Sequence, residues 1–166
     1  MPNWVSCTLT VKGKISKVDE FIEENTAIKD GIDQPNTLSF VRVAPCRNTC
    51  MDQQKTWGTK WDAYDMSGIT TKIDDVEKTV YYDFDTAWSP PTNWLHRASE
   101  KYPSLEFSLD YIEGNNFRGF LILKADDETW NENGWEMSEN DSLYDVSDEE
   151  ESEEDIDIHA ELIASA

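Results

Sequence analysis

Residues 105–124 read LEFSLDYIEGNNFRGFLILK, and this stretch decides the fold class. Its first part places an apolar side chain at every second position from Leu105 to Tyr111, which is typical of a strand with one buried face. Its last part, Phe117–Lys124, repeats the alternation after Glu113-Gly114-Asn115-Asn116, a sequence typical of a turn. The stretch therefore predicts a β-hairpin and, with it, an antiparallel sheet.

The same alternation recurs upstream and predicts further strands. It is clearest at Trp4–Val11, Thr37–Val43 and Thr79–Asp85. The stretch between residues 46 and 77 reads as irregular, apart from a short predicted strand at Trp57–Tyr64.

Two helices are predicted between these strands. Ser16 and Asp19 form a capping box for the first helix, and Gly31 is a plausible C-terminal stop. Ser89-Pro90-Pro91 starts the second helix, and Pro103 ends it.

The order of elements is strand, helix, strand, strand, helix, strand, strand. Two split strand–helix–strand units that share one antiparallel sheet make an α+β ferredoxin-like sandwich, here with an additional strand or hairpin. Both helices would cover one face of the sheet and leave the other face for a loop, a hairpin or a partner.

The charge of the chain changes sharply after residue 125. The 166 residues hold 35 Asp and Glu against 14 Lys and Arg, a formal net charge of −21. Residues 126–166 hold 17 of these acids and no Lys or Arg, which leaves 18 acids and 14 bases in residues 1–125. We therefore expect a ferredoxin-like domain at 1–125 and an acidic tail at 126–166, partly disordered or folding onto a partner.

The overall charge excludes some classes of function. A chain this acidic is repelled by phosphate backbones, so we expect no direct binding of nucleic acid. No apolar stretch approaches the roughly 18 residues of a membrane-spanning helix, and no signal peptide precedes Trp4. We expect a cytoplasmic protein without a membrane partner.

Catalytic and metal-binding patterns are weak. His96 and His159 are the two histidines, and neither belongs to a recognised catalytic or metal-binding motif. Cys46 and Cys50 lack the second ligand pair of a tetrahedral site, so they and Cys7 are expected to be reduced thiols. We expect no enzyme activity, no catalytic residues, no metal and no cofactor.

Four segments together resemble a known family. They are Met1-Pro2-Asn3-Trp4, Trp57-Gly58-Thr59-Lys60-Trp61-Asp62-Ala63-Tyr64-Asp65, Phe84-Asp85-Thr86-Ala87-Trp88-Ser89-Pro90-Pro91 and Tyr102-Pro103. This combination, within residues 1–125, resembles the YubB-like family of bacterial, plasmid and phage proteins. The resemblance implies a ferredoxin-like domain and a prokaryotic or phage cytoplasmic origin, and it brings no catalytic residues with it.

The central motif is a candidate ligand-binding or partner-binding surface. If residues 57–62 are extended, Trp57 and Trp61 lie on one face, and Lys60 and Asp62 on the other. A cation and a carboxylate beside aromatic rings, including Trp88, suit a planar or charged ligand. The alternative is structural: the rings fill the core and Lys60 pairs with Asp62 at the surface. Asp85 is likewise expected to accept backbone donors at the turn into the second helix.

The tail provides a second candidate surface, because it mixes carboxylates with aromatic side chains. Its partner-binding candidates are Trp130, Trp135, Tyr144, Asp148, Glu149, Glu150, Glu151, Glu153, Glu154 and Asp155. This pattern suits a segment that folds onto a basic, partly apolar surface, and its charge density could imitate nucleic acid.

Two functions follow as hypotheses. The first is a non-enzymatic interaction protein of a phage or mobile element, whose partner is a basic, nucleic-acid-binding host protein. The second is a module that binds a small molecule or peptide at Trp57–Asp62, with an enzyme as its less favoured form.

Overall fold

The computed structural model of the chain describes residues 3–114, 117–124 and 129–134. In chain order the elements are β1 (Trp4–Lys14), α1 (Ile15–Asn25), β2 (Ile28–Lys29), β3 (Ile32–Asp33), α2 (Cys50–Trp57), β4 (Tyr64–Asp74), β5 (Glu77–Ala87), α3 (Thr92–Lys101), β6 (Glu106–Glu113), β7 (Phe117–Lys124) and β8 (Thr129–Gly134). Six of the strands form one sheet in the order β4-β5-β1-β6-β7-β8, and every pair in it is antiparallel.

The predicted ferredoxin-like fold is confirmed. The units β1-α1-β4 and β5-α3-β6 are the two split strand–helix–strand motifs, and their strands lie side by side as β4-β5-β1-β6. β7 and β8 extend this four-stranded core on the β6 side, and β7 is the second strand of the predicted hairpin. β8 lies after residue 125, and the predicted division at that residue stays a prediction.

The core lies between one face of the sheet and the helices. Val5, Cys7, Leu9 and Val11 alternate along β1 and are all buried on this face. Phe21 of α1 packs edge-on against rings from β5 and β6, with centroid distances of 6.2 Å to Tyr82 and 5.6 Å to Phe107. Each side chain of this size buried from water stabilises the fold by roughly 1.5–3 kcal/mol.

The opposite face of the sheet is called the open face here. Along β1 it carries the residues between the buried ones, namely Ser6, Thr8, Thr10 and Lys12, and none of these is fully buried. Among the described helices, α1 and α3 pack on the other face, where the buried side chains of β1 and β5 lie. Strand register also places Ile112 of β6 and Phe120 and Ile122 of β7 on this face, so the open face mixes polar and apolar side chains.

The prediction of a strand at Thr37–Val43 is wrong. This segment forms a loop and turns, because the buried Leu38 and Phe40 pack into the core from outside the sheet. The second strand of the first split unit is instead β4, at the edge of the sheet. Most of β4 beyond Ile69 is exposed, so its sequence lacks the alternation that marks a half-buried strand.

The predicted signals at the ends of the first helix are also wrong. β1 runs directly into α1, so Ser16 lies inside the first turn and no side chain caps the helix. Asp19 forms an ion pair with Lys78 of β5 instead, at 2.6 Å. α1 ends at Asn25, whose amide donates to the carbonyl of Phe21 at 2.8 Å.

Gly31, the predicted stop of that helix, lies in the tight turn between β2 and β3. Its φ of 77° belongs to the left-handed region that favours glycine. A turn glycine was thus mistaken for a helix stop, since both positions require a positive φ.

In the described ranges, no helix combines the length and the apolar character needed to cross a membrane.

Cys7 is buried in β1, and desolvation raises the pKa of its thiol to about 12. Cys46 lies in a loop, and Cys50 is the first residue of α2.

Gly13, near the end of β1, tests the packing of the core against the sheet. A Cβ added to Gly13 would lie 2.5 Å from Cδ2 of the buried Leu105, so Leu105 must shift. We expect Gly13→Ala to lower the free energy of unfolding by about 1–3 kcal/mol, measured by urea denaturation. The matched control is Gly68→Ala in β4, where an added Cβ meets nothing within 4 Å. Equal effects of the two substitutions would contradict the packing described here.

Candidate binding site

The segment at Trp57–Asp62 is a helix end followed by a loop, so the predicted strand at Trp57–Tyr64 is wrong. Thr49 caps α2 by accepting a hydrogen bond from the backbone N–H of Asp52. Gly58 ends α2 with a φ of 85°, and its N–H donates to the carbonyl of Gln54 at 2.9 Å. The side chains of this segment therefore do not alternate between two faces.

Trp57 is a core residue. Its indole Nε1–H donates to the carbonyl oxygen of Ala44 at 2.8 Å, and its ring packs edge-on against Phe40 at a centroid distance of 5.7 Å. Only 1% of the residue is exposed. A buried indole with a satisfied N–H stabilises the loop that carries Phe40 and Ala44.

Lys60 is buried, and its ammonium group lies over two indole rings. Its Nζ is 4.0 Å from the ring centroid of Trp88 and 5.1 Å from that of Trp61. An ammonium group is attracted to the negative face of an aromatic ring, and more strongly where water is excluded. Lys60 therefore makes its cation–π contacts within the protein, where they help to position Trp61 and Trp88.

Asp62 is buried and serves as an acceptor for three donors. Its carboxylate accepts hydrogen bonds from Ser39 Oγ at 2.8 Å and from the backbone N–H groups of Phe40 and Ala63, both at 2.7 Å. Burial raises the pKa of this carboxyl group from 3.8 to about 6, against the opposing effect of the three hydrogen bonds. Asp62 thus binds the loop at residues 39–40 to the start of β4.

The structural alternative predicted that Lys60 pairs with Asp62 at the surface. Instead, both side chains are buried, Lys60 against two indole rings and Asp62 against the loop at residues 39–40. Residues 26–63, between α1 and β4, are called the insertion here. The side chains of Lys60 and Asp62 hold this insertion against the rest of the domain.

Ser89 belongs to the same network and does not cap the second helix as predicted. Its hydroxyl donates to the carbonyl oxygen of Gly58, and its own carbonyl accepts from Thr86 Oγ1 at 2.9 Å. Thr59 Oγ1 donates to the carbonyl of Ala87 at 2.8 Å. α3 begins at Thr92 without a side-chain cap, and it ends at Lys101, shortly before Pro103.

An aromatic cluster, defined as Trp4, Trp61, Tyr64 and Trp88, gathers at one end of the open face. Trp4 stacks on Tyr64 with a centroid distance of 4.8 Å and an interplanar angle of 15°, and it lies 5.7 Å from Trp61. Tyr64 is 38% exposed, and the three indoles are half-buried. Of the residues in the central motif at 57–62, Trp61 is thus the aromatic side chain that lies in this partly accessible cluster.

The open face next to this cluster carries two acidic residues of β5, Asp83 and Asp85. Asp85 accepts a hydrogen bond from Ser6 Oγ at 2.9 Å rather than from backbone donors at the helix turn. Asp83 accepts one from Thr8 Oγ1 at 2.7 Å. The alternation in Thr79–Asp85 predicts that Asp83 and Asp85 lie on the exposed face of their strand. It does not predict which residues of the neighbouring strand lie beside them.

The tail candidates lie almost entirely beyond the described residues. Trp130 belongs to β8, of which only the backbone is described, paired with β7. The other nine, Trp135, Tyr144, Asp148, Glu149, Glu150, Glu151, Glu153, Glu154 and Asp155, lie outside the described ranges. Their role in binding stays a prediction, as does that of Trp57, Lys60, Trp61, Asp62 and Trp88.

The role of Asp62 as a buried hydrogen-bond acceptor can be tested by comparing two substitutions, an isosteric amide and a truncation to alanine. In Asp62→Asn, the amide oxygen can accept from both backbone N–H groups while the amide nitrogen donates to Ser39, so we expect little change in stability at pH 7. Asp62→Ala leaves the buried N–H groups of Phe40 and Ala63 without their acceptor, and we expect a loss of about 2–4 kcal/mol in the free energy of unfolding. Equal stability of the two variants in urea denaturation would contradict this role.

The raised pKa of Asp62 also predicts a pH dependence. Because the folded chain holds this proton more tightly than the unfolded chain, its contribution to stability is fully present below pH 3.8 and is lost as the pH rises through about 6. We expect the free energy of unfolding of the wild-type chain, relative to Asp62→Asn, to fall by about 3 kcal/mol over that window. Parallel pH profiles of the two proteins would show that the carboxyl group titrates normally.

Comparison with known proteins places the domain in a family. The model of the ferredoxin-like domain in Api92-like proteins matches residues 56–159. Among solved structures, the chain is similar to the crystal structure of a protein api92 from Yersinia pseudotuberculosis, with 19% sequence identity and a TM-score of 0.43 over 63% of this chain and 43% of that chain. The chain thus spans less than half the length of that relative, and no curated protein matches it. Since the family model covers well over half of its residues, the chain belongs to the family of Api92-like proteins that carry this ferredoxin-like domain.

Proposed function

We propose that this chain is a non-enzymatic interaction protein that binds, and thereby inhibits, a basic, nucleic-acid-binding protein of a bacterial host. The observation that carries the proposal is the charge step after residue 125. Residues 126–166 hold 17 carboxylates and no Lys or Arg, a density of like charge that imitates a nucleic acid. Such a tail competes with nucleic acid for the same basic surface.

The distribution of other side chains along the tail supports a specific contact. Trp130, Trp135 and Tyr144 precede the densest acidic run, at residues 148–155. Aromatic side chains are the residues that most often anchor protein interfaces, whereas surrounding charges mainly accelerate association and select the partner. The aromatic residues would supply affinity and the carboxylates selectivity for a basic partner.

The origin and the absence of catalysis are parts of the same proposal. The resemblance of the Trp57–Asp65 motif to the YubB-like family supports a phage or other mobile element as the source and the bacterial cytoplasm as the location. The non-enzymatic role is supported by the two histidines, since neither His96 nor His159 belongs to a catalytic motif.

A ligand-binding module is the alternative, and the aromatic cluster is the observation that favours it. Trp61, Tyr64 and Trp88 are accessible at one end of the open face. Trp57, Lys60 and Asp62 are buried and already engaged with protein groups, so they give this alternative less support than the charge step gives the first.

The proposal is tested by neutralising the tail within the full chain, which leaves β8 in place. The variant replaces seven carboxylates by amides, at Asp148, Glu149, Glu150, Glu151, Glu153, Glu154 and Asp155. We expect the wild-type chain to capture a DNA-binding protein from bacterial lysate at low salt, and to release it when salt or duplex DNA is added. The amide variant should capture at least about tenfold less, because the loss of several charge contacts adds up.

The control is a chain with the same seven residues shuffled among themselves and Ser152, which keeps the charge and changes the order. It should capture the same partner. Binding that is independent of salt and survives the amide substitutions would contradict mimicry by the tail.

A further inference from the structure

We infer that the domain has a binding surface on its helical side, and that this surface holds the acidic run of the same chain, residues 148–155. The surface is named the basic helix surface and is defined by Arg47, Lys55 and Arg97, with Met51 beside them. A basic partner of the tail then has to displace this contact, a consequence that rests on the proposed function. The contact itself is tested without a partner.

α2, α3 and the loop before α2 carry an excess of bases. Residues 42–57 and 92–101 together hold five bases and two acids, whereas the remainder of residues 1–125 holds nine bases and sixteen acids. The two acids are Asp52 and Glu100. A positively charged region is thus present in a domain that is otherwise negative.

The three bases lie around one turn of α2, at Thr56. Arg97 Nε donates to the carbonyl oxygen of Thr56 at 3.1 Å, so α3 brings this base to α2. The thiol of Cys46, which directly precedes Arg47, is hydrogen-bonded to the side chain of Thr56. Lys55 precedes Thr56 in the helix, and all three bases are exposed.

This surface combines cations with an exposed apolar side chain. Within the described ranges, no carboxylate forms an ion pair with Arg47, Lys55 or Arg97. Met51 lies four residues before Lys55, on the same side of α2, and is 82% exposed. Such a surface suits a segment that mixes carboxylates with apolar residues.

The acidic run has the complementary pattern. Residues 148–155 hold seven carboxylates and one serine, and Ile156 and Ile158 come directly after them. The carboxylates match the three bases, and the isoleucines match Met51. The family match, at residues 56–159, includes both α3 and the acidic run, as expected for a segment that folds together with the domain.

β8 ends near the basic helix surface. Strand register follows one row across the sheet from β8 to β5, through Gly134, Gly119, Tyr111, Cys7 and Phe84. Just beyond Phe84, at the same end of the sheet, Ser89 donates to the carbonyl oxygen of Gly58, the residue that ends α2. α3 begins at Thr92, so β8 ends at the end of the sheet where α2 and α3 meet.

The chain beyond β8 is long enough to reach this surface. α3 packs on β7, the strand next to β8, and neighbouring strands are about 4.8 Å apart. From residue 134 to residue 148, an extended chain spans up to about 45 Å. A tethered segment within reach has an effective concentration on the order of millimolar, which favours the tail of the same chain over that of a second copy. Nucleic acid is disfavoured because the chain as a whole repels it.

The test is zero-length cross-linking of the full chain with a carbodiimide, which joins a lysine amine to a carboxylate in contact with it. Because residues 125–166 contain no Lys or Arg, trypsin releases the tail as one peptide, and fragmentation in the mass spectrometer locates the joined carboxylate. We expect Lys55 to be joined to residues 148–155, in monomeric product, at least about fivefold more often than Lys14 or Lys72. These two lysines are exposed and lie on β1 and β4.

The variant Arg47→Gln with Arg97→Gln keeps Lys55 as the reporter and removes the two charges beside it. We expect the yield of the cross-link from Lys55 to the tail to fall about fivefold. The matched control, Lys14→Gln with Lys72→Gln, changes the net charge equally and should lower the yield less than about twofold. The cross-link between Lys78 and Asp19, whose Nζ and Oδ1 are 2.6 Å apart, reports an intact fold in each variant.

Three results would overturn the inference. Equal losses in the two double variants would reduce the contact to general attraction. A Lys55 that joins the tail no more often than Lys14 or Lys72 would show that the surface does not hold it. A cross-link found only in dimers would make a second copy the occupant.

Capture from lysate is a separate readout, so this inference and the proposed function can fail independently. If Lys55 joins the tail as expected but the wild-type chain captures no DNA-binding protein, the contact is supported and the proposed function fails. If the tail captures such a protein but Lys55 shows no preference for the tail, the contact is overturned and the proposed function stands.

Discussion

The alternation of side chains along β1 is the constraint on which the rest of the structure depends. β1 is hydrogen-bonded to β5 on one side and to β6 on the other, so both split strand–helix–strand units are joined through it. Its buried residues, Val5 to Val11, set which face of the sheet the helices cover. A shift of this strand by one residue would expose the core and bury the hydroxyl groups of Ser6 and Thr8.

The insertion between α1 and β4 is held to this frame by buried polar groups. Asp62 accepts hydrogen bonds from the loop at residues 39–40, and Lys60 lies over the rings of Trp61 and Trp88. A buried carboxylate and a buried ammonium group are unfavourable unless such partners surround them, so each specifies one arrangement of its loop. The motif thereby presents Trp61 and Tyr64 beside the open face, although most of its own residues are hidden.

Charge organises the protein on two scales. Along the chain, the bases are confined to residues 1–125, and the tail is purely acidic. Across the open face, Lys12 and Lys124 pair with carboxylates at one end, and Asp83 and Asp85 accept hydrogen bonds from the hydroxyl groups of Thr8 and Ser6 towards the other.

The sequence by itself determined the fold class, because β1, β5 and the hairpin of β6 and β7 each have one buried face and therefore show a strict alternation. It also determined the charge step after residue 125. Only the tertiary structure decided which segment completes the first split unit. The apolar residues of Thr37–Val43 are buried from outside the sheet, whereas β4 lies at the edge of the sheet and is mostly exposed beyond Ile69, so it shows no clear alternation. The same is true of the candidate sites: a list of residues does not say that Trp57 and Asp62 are buried, or that Thr8 lies between Asp83 and Asp110, because burial and register arise from contacts between segments that are distant in the chain.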